Sequence, residues 1–456
     1  MIDSPPPNEP MDELRSAIEA DDAEAAESFL EEISPSESAL AVTRLDEDDQ
    51  ANLVKMLPPN SAASLLEELP DSESAAIVGR LATDDAAEIL DVVTSDAQAD
   101  ILGRLPEHDA EAILREMIPS EAEDARRLMQ YEPETAGGLM VSEYLRYRSD
   151  LTVEQVLDDL RHNADEYRKY DIQYAYVISA ADDLVGVLRL RDVLLADRAQ
   201  SLGEVMITDP LRVNVDESLL ELVGFFDRNH FLGVPVVEKD GKLVGVVRQN
   251  DVREAALESA DRTLLKLTGI AGGEELRTMP IGVRSKRRLS WLSINIVLNI
   301  VAASVIAMYQ ETLEAVIALA VFLPIISDMS GCSGNQAVAV SMRELSLGLI
   351  RPSEYLRVLW KESSVGVING VVLGLLLGVV AMVWKSSLAL GAVVAIALLG
   401  NTVIAVCIGG SVPLLLKGLN QDPALASGPI LTTITDMCGF FLVLSLATLM
   451  LPWLIG

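Results

Sequence analysis

Five apolar segments in the carboxyl-terminal part of this 456-residue chain constrain its fold more than any other feature. They lie near residues 289–309, 313–342, 363–384, 387–416 and 425–454. Each reaches or exceeds the roughly 20 residues that a helix needs to cross the hydrocarbon core of a bilayer. They predict an all-α transmembrane bundle of five helices within residues 284–456.

Charge is segregated from this apolar part. Of the 35 Lys and Arg and the 69 Asp and Glu in the chain, residues 284–456 hold 10 and 8, which leaves 25 and 61 in the first 283 residues. The amino-terminal part therefore carries a net charge of −36, and the membrane part carries +2. A strongly acidic soluble region does not attract nucleic acid and does attract cations.

Basic residues between the segments predict the orientation. Nine of them lie before the first segment, after the second or after the fourth, and these three connections share one side of the bilayer. They are Arg284, Lys286, Arg287, Arg288, Arg343, Arg351, Arg357, Lys361 and Lys417. The other side has only Lys385. Because cytoplasmic loops are enriched in Lys and Arg, we expect a multi-pass protein of the cell membrane with a cytoplasmic amino terminus. Residues 1–10 lack the apolar core of a signal peptide and are expected to be disordered.

Asp436 is a carboxylate inside the last apolar segment. A charge near the bilayer centre costs roughly 2.5–3.5 kcal/mol on insertion scales, so such a residue usually faces a polar cavity, an ion path or a partner. Asp436 is therefore the first candidate for function. The alternative is an aspartate that pairs with a nearby hydroxyl or amide and only holds helices together.

Polar and small residues interrupt the second segment as well. They are Pro324, Asp328, Gly331, Gly334, Asn335 and Gln336. Such a stretch permits an irregular backbone, which is tolerated at this depth only beside protein or water, or it permits close helix packing alone. Asn401, Gly409, Gly410 and Pro413 predict a second irregular stretch in the fourth segment. Nothing in the apolar part pairs a nucleophile with a base, so the chain is not expected to be an enzyme.

A carboxylate path without histidines or organised thiolates favours a hard cation over zinc, copper or an anion. Mg²⁺ is the natural candidate because it dehydrates reluctantly and can be recognised through its retained waters by a few carboxylates. Coupling to protons and transport of calcium stay open on this chemistry alone.

An apolar residue recurs every 12 positions in the acidic part, at Leu57, Leu69, Leu81, Val93, Leu105 and Met117. Isoleucine or leucine follows eight residues after each of the first five, at Leu65, Ile77, Ile89, Ile101 and Ile113. Three positions after each member of the first set, from Leu57 to Met117, stand residues that are mostly typical of helix starts. They are Asn60, Ser72, Asp84, Asp96, His108 and Ser120. The pattern predicts an all-α superhelix over residues 11–130.

Residues 131–251 change to two similar blocks of strand, turn, strand and helix. The strands begin near Tyr174 and Leu184 in one block and near Leu232 and Lys242 in the other. The duplicated α/β unit resembles a tandem pair of CBS regulatory modules. In nucleotide-binding CBS modules a Ser or Thr stands three residues before the helix-opening aspartate. Here Arg189 and Arg248 replace it, which makes an adenosine ligand such as ATP doubtful.

A connecting helix is predicted within residues 252–283. Glu254, Glu258 and Asp261 have spacings that place them on one side of it. An ordinary solvated helix face explains the same spacing.

The order of acidic helical domain, CBS pair, connecting helix and five spans resembles the MgtE family of magnesium channels. The second-segment motif and the stretch from Asp422 to Asp436 are similar to two signatures of that family. The resemblance implies a homodimer with a pore between the subunits, where Asp436 of each chain recognises a hydrated Mg²⁺. It also implies that cytoplasmic Mg²⁺ closes the pore by screening acidic faces, with Asp251, Glu254, Glu258 and Asp422 as sensing carboxylates.

The motif departs from the family at several positions. Asp328 and Ser330 replace glycines, and Cys332 replaces an asparagine, so Mn²⁺ or Co²⁺ is also expected to pass. Ser259 and Arg262 stand where the family has acids. Two other classes of function stay open: a transporter of Mg²⁺, Co²⁺ or Mn²⁺ coupled to H⁺ or Na⁺, and a membrane-anchored sensor that transports nothing.

Overall fold

The computed structural model describes residues 9–167, 170 and 173–455. It contains two compact units, Met1–Ala256 and Leu257–Gly456. The tail predicted to be disordered, residues 1–10, lies outside the described residues except for Glu9 and Pro10, which begin the first helix.

The first unit begins with ten short helices. They are α1 Glu9–Glu19, α2 Ala23–Glu32, α3 Pro35–Val42, α4 Glu47–Met56, α5 Pro59–Glu68, α6 Asp71–Val78, α7 Thr83–Leu90, α8 Ser95–Arg104, α9 Glu107–Glu116 and α10 Pro119–Leu128. From α5 onward each helix occupies one period of the 12-residue pattern, and the residues of its isoleucine phase are buried in one continuous core. The predicted superhelix is confirmed.

From α3 to α10, each helix packs chiefly on the helix two positions along the chain, as α6 does on α8 and α7 on α9. The helices thus form two columns that share the core. The predicted helix starts are displaced by two residues, because the residues outside α5, α8 and α9 are Pro58, Thr94 and Pro106. Asn60, Asp96 and their equivalents lie in the first turn instead, where acidic and polar side chains also favour the helix dipole.

Two α/β modules follow. The strands are β1 Leu145–Arg148, β2 Tyr174–Ile178, β3 Leu184–Arg189, β4 Ile207–Thr208, β5 Val213–Asn214, β6 Gly233–Val237 and β7 Leu243–Arg248. The helices are α11 Val153–His162, α12 Ala164–Tyr167, α13 Leu190–Leu195, α14 Leu202–Val205, α15 Leu219–Asn229 and α16 Gln249–Leu267.

The sheets confirm the duplication. In the first, β1 pairs with β2 in parallel and β2 with β3 in antiparallel orientation. In the second, β5 and β6 are parallel and β6 and β7 are antiparallel. Each sheet covers its own apolar core, and a third cluster that includes Tyr176, Ile178 and Val246 joins the two modules. The connecting helix, predicted within residues 252–283, is the later part of α16 and ends at Leu267, because Gly269 takes the left-handed backbone at φ +89°.

The second unit contains long helices with short connections. They are α17 Ile281–Met308, α18 Gln310–Ala315, α19 Leu319–Ser346, the 3-10 turn Pro352–Glu354, α20 Tyr355–Lys385, α21 Leu388–Gly418, α22 Pro423–Leu449 and α23 Leu451–Ile455. Among the described residues, α17, α20, α21 and α22 are long and apolar enough to cross a membrane. The helix α19 is equally long but more polar, and it is the one that carries the second-segment motif.

The helix α21 lies at the centre and packs against α20, α19 and α22, while α17 packs on α22. Glycines on α20 allow the closest approach. A Cβ on Gly370 would lie 3.0 Å from the carbonyl oxygen of Leu399, and one on Gly374 would lie 2.6 Å from that of Ala395. Both belong to a row at four-residue spacing, which brings two membrane helices into backbone contact.

Candidate functional site

One face of α19 carries a row of polar residues that the bundle leaves exposed. Pro324, Asp328, Cys332, Asn335 and Gln336 are exposed, at intervals of about one helical turn. The opposite face packs inward through residues such as Ile326 and Ala337. Polar side chains on a membrane helix require water or protein beside them, which makes this face a candidate site.

Asp436 lies next to this helix. The Ser327 hydroxyl on α19 donates a hydrogen bond to Oδ1 of Asp436 on α22. No described residue donates a hydrogen bond to Oδ2 of the same half-buried carboxylate. The hydroxyl contact is the kind that a purely structural aspartate makes, but it satisfies one oxygen only. The geometry places a carboxylate with a second, unpaired oxygen next to Ser327, on the helix that also carries the exposed row.

The backbone around Asp436 is held by α21. The Asn401 Nδ2 donates to the carbonyl oxygen of the buried Thr435 at 3.1 Å. Gly439 permits this approach, since a Cβ there would lie 2.7 Å from Asn401 Nδ2. Asn401 therefore supports the helix that carries Asp436.

Buried oxygens without partners lie on the helices around Asp436. Ser330 Oγ on α19, together with Asn401 Oδ1 and Thr402 Oγ1 on α21, has no hydrogen-bond partner in the described part of the chain. An unsatisfied buried polar group costs about 1–3 kcal/mol. These unpaired oxygens therefore lower the stability of this part of the bundle, as is common in functional regions.

The prediction of an irregular backbone in the second and fourth segments is wrong. Both α19 and α21 are continuous helices that include Pro324 and Pro413. The glycines serve close packing instead, which was the alternative interpretation. A Cβ on Gly334 would lie 3.0 Å from the Ala405 carbonyl oxygen, and Gly409 contacts the Gly334 carbonyl oxygen.

Gly410 also serves close packing, because a Cβ there would lie 2.7 Å from Cγ of Glu362. Gly331 differs, because a Cβ there would meet Thr435 Oγ1 at an ordinary 3.9 Å. The glycine row of α20 was not singled out from the sequence, although its repeat at positions 366, 370, 374 and 378 is the signal that could have revealed it.

Asp422 caps the start of α22. Its Oδ1 accepts the Ala424 backbone N–H at 2.9 Å, and its Oδ2 forms an ion pair with Lys266 Nζ at 2.8 Å. Lys266 and the adjacent Leu267 belong to the end of α16, and Leu267 packs on the cluster of Val338, Met342, Ala424 and Leu431. The end of the connecting helix therefore contacts the two helices that carry the polar row and Asp436.

Asp251 lies in the first turn of α16 in a cluster of charges within the first unit. Arg248 Nε contacts Oδ2 of Asp251 at 2.6 Å, and Arg248 Nη2 contacts Oδ2 of Asp96 on α8 at 3.3 Å. The charge of Glu143 helps to raise the pKa of Arg248. Burial raises the pKa of Glu143 itself. Burial likewise raises the pKa of Asp251 to about 6, although the Arg248 guanidinium opposes the shift.

Glu254 and Glu258 are exposed on the same helix. Among the described residues, no three side chains of His, Cys, Asp or Glu come together as a metal site. The predicted sensing carboxylates thus lie on one helix and at the start of another rather than in a preformed cage.

Asp251 makes stability depend on pH. Its pKa is raised from 3.8 to about 6 in the folded protein, so its stabilising contribution is complete below pH 4 and is lost as the pH rises through 6. Two pKa units correspond to about 3 kcal/mol. We expect Asp251→Asn to reduce the loss of thermal stability between pH 5 and pH 7, measured by the apparent Tm in a chelator. Asp240→Asn is the control, because Lys242 lowers the pKa of that exposed carboxyl. An unchanged pH dependence in Asp251→Asn would contradict this assignment.

A small cavity of about 80 Å³, partly open to solvent, lies between the two modules and the residues before β1. Tyr144, Tyr174 and Tyr176 line it together with Arg248 and Gln249. Aromatic, amide and guanidinium groups of this kind suit a planar polar ligand. Arg248 is already paired with two carboxylates, which reduces its availability to a phosphate.

Comparison with known proteins agrees with this architecture. Residues 323–446 match the family model for MgtE divalent cation transporters, residues 33–134 match the MgtE intracellular N domain, and residues 202–258 match the CBS domain. The chain is 31% identical over 333 residues to a magnesium transporter MgtE of Bacillus subtilis, with 73% of each chain covered. It is 33% identical over 335 residues to a magnesium transporter MgtE of Thermus thermophilus, covering 73% of this chain and 74% of the relative.

One solved structure shows the same fold over the part of the chain that it covers. The crystal structure of the soluble part of a magnesium transporter aligns with a TM-score of 0.50 and 24% identity, covering 56% of this chain and 99% of that one. The cytosolic domain of the Mg²⁺ channel MgtE in complex with ATP aligns with a TM-score of 0.37 and 29% identity, covering 54% and 99%. With the acidic helical domain, the CBS pair and the polar membrane helix all accounted for, the chain belongs to the MgtE family of divalent cation transporters.

Proposed function

We propose that the protein is a Mg²⁺-selective channel in which Asp436 recognises the ion in the membrane. The observation that carries the proposal is that α19, in an otherwise apolar bundle, has an exposed polar row and also contacts the Asp436 carboxylate through Ser327. Hydrated Mg²⁺ suits this chemistry, since one or two carboxylates and several amide and water oxygens can recognise it without removing its waters. The magnesium transporters among its relatives support the same ion.

The pore is proposed to lie between two copies of the chain. The polar row faces away from the bundle of its own chain, where lipid would leave its amides and carboxylate unsatisfied. A second copy related by a twofold axis would cover the row and bring two Asp436 carboxylates towards one path. Pro324, Gly331, Gly334, Asn335 and Gln336 would then line or support that path, and Asp328 would add a second carboxylate.

Closure by intracellular Mg²⁺ is proposed for the acidic soluble part. The first 283 residues carry 61 acids against 25 basic residues, so opposed surfaces repel until cations bridge them. Glu254 and Glu258 are exposed acids of α16, the helix whose end also carries the Lys266 pair to Asp422. Asp422 is proposed as a further sensing position, where Mg²⁺ competes with Lys266. Asp251, the other position that the resemblance implies, is already paired with Arg248.

The gating proposal predicts protection by the ion. We expect millimolar Mg²⁺ to slow limited proteolysis of residues 252–283 in the full-length protein, because bridged acids restrict the helix that these residues contain. The rate of cleavage is measured by mass spectrometry across a Mg²⁺ series, with the same ionic strength of Na⁺ as the control. Equal cleavage at every Mg²⁺ concentration would mean that this helix does not sense the ion.

A transporter coupled to H⁺ or Na⁺ is the alternative, because an intramembrane carboxylate can also carry a proton. Proteoliposomes loaded with a Mg²⁺ indicator separate the two. A channel conducts Mg²⁺ down its own gradient when the proton and sodium gradients are absent. Uptake that stops when those gradients are removed identifies coupling, and the absence of any uptake identifies a sensor without transport.

Nucleotide binding by the CBS pair is the weaker regulatory proposal. The lining of the cavity between the modules suits an adenosine ligand, but Arg248 stands where nucleotide-binding modules carry Ser or Thr. We infer that ATP is dispensable for ion sensing in this chain.

A further inference from the structure

Arg248 joins two parts of the first unit that are far apart in the sequence. It ends β7 of the second module, and it contacts Asp251 at 2.6 Å and Asp96 of the superhelix at 3.3 Å. The two carboxylates come from the first turns of α16 and α8. The guanidinium therefore lies between an acid of the helical domain and an acid of the CBS pair.

The three side chains are largely withdrawn from solvent. Their exposed fractions are 27% for Arg248, 18% for Asp96 and 19% for Asp251. Two carboxylates held this close in a partly buried site repel each other strongly unless a cation lies between them. Arginine supplies that charge at every physiological pH, and its planar group can contact both acids at once.

Neighbouring contacts from the superhelix are direct hydrogen bonds between groups of the protein. Arg127 on α10 donates to the carbonyl oxygen of Val244 in β7 at 2.9 Å. Ser95 at the start of α8 donates through its backbone and its hydroxyl to Glu143, at 2.8 and 2.7 Å. Hydrogen bonds from Arg127 and Ser95 thus hold the superhelix on the second module.

We propose that Arg248 is a built-in cation that holds the helical domain on the second CBS module whether or not Mg²⁺ is bound. A tethered guanidinium competes with free Mg²⁺ at a high effective concentration and does not dissociate from the chain. For gating, which rests on the proposed function, this means that Mg²⁺ acts on other acidic surfaces, such as that of the connecting helix. The docking itself does not depend on ion conduction.

Hydrogen–deuterium exchange of the full-length protein in detergent tests the proposal. We expect the backbone of α8 and of the β7–α16 junction to exchange equally slowly in a chelator and in millimolar Mg²⁺. In Arg248→Met, which keeps the apolar stem but removes the charge, exchange in the chelator is expected to rise by about tenfold or more. Mg²⁺ is expected to restore protection in that variant by bridging Asp96 and Asp251.

Two further variants keep the test decisive. Arg115→Met removes an exposed arginine of α9 that pairs with Glu111 of its own helix, and it should behave as the parent does. Arg248→Lys retains the charge if the methionine variant does not fold, and its protection should likewise be independent of Mg²⁺. Loss of protection in the parent when Mg²⁺ is removed would overturn the proposal, and so would unchanged protection in folded Arg248→Met. Because the readout needs no ion flux, a parent that fails to conduct Mg²⁺ would refute the proposed function and leave this result standing.

Discussion

Replacement of Asp436 by asparagine is expected to reduce Mg²⁺ flux into proteoliposomes by at least about 100-fold. At about 5 Å and an effective dielectric constant of about 20, a divalent ion and one carboxylate attract each other by about 7 kcal/mol. Asparagine keeps the shape of the side chain and its contact with Ser327 but removes this charge. Asp436→Ala, which also removes the hydrogen bond, is expected to be as inactive.

The matched control is Glu314→Gln, the same kind of change at a carboxylate of α18 that accepts a hydrogen bond from Gln310. It should conduct as the parent does. Asp436→Glu should retain part of the flux, since it retains the charge. If Asp436→Asn conducts at the rate of the parent, Asp436 belongs to helix packing, which is the alternative that its contact with Ser327 left open.

The second large effect is expected at Gly374 on α20. A leucine there must occupy the space of the Ala395 carbonyl oxygen, which lies 2.6 Å from the position of a Cβ, so α20 and α21 have to separate. Overpacking of this kind costs about 1–3 kcal/mol or more, and it should lower the apparent Tm in detergent by about 5 °C or more. Thermal unfolding followed by tryptophan fluorescence measures the change.

Gly418→Ala is the control for this prediction, because the Cβ that it adds near the end of α21 lies 3.5 Å from Pro352 Cβ, an ordinary contact. Its Tm should stay within about 2 °C of that of the parent. A Gly374→Leu protein as stable as the parent would mean that the two helices do not pack as closely as the glycine row implies.

The sequence predicted the parts of this fold that repeat. The 12-residue period gave the superhelix because each period is long enough for one short helix, and the paired strand blocks gave the two modules. Helix starts were displaced by two residues, because the residue just outside each helix is not the polar one but a residue two positions before it, such as Pro58, Ala82 or Thr94. Position alone could not distinguish a cap from a first-turn residue.

Interior proline and glycine were the less reliable signals. Pro324 and Pro413 suggested broken backbones, yet the neighbouring helices keep α19 and α21 continuous. For the candidate site, the sequence identified Asp436 and the polar row of α19 by their polarity in an apolar setting. It could not reveal that Ser327 meets Asp436, or that Arg248 meets Asp96 across 152 residues of chain, because such contacts depend on tertiary packing.

The two columns of the superhelix distinguish changes in length by an odd number of helices from changes by an even number. Between α3 and α10 a helix packs chiefly on the helix two positions away, so helices of one column share neighbours that those of the other column lack. Loss of a single 12-residue period would move every later helix into the opposite column, whereas loss of two would return each one to its own. The domain can therefore lengthen or shorten in relatives by steps of about 24 residues, and insertions of one period should be rarer than insertions of two.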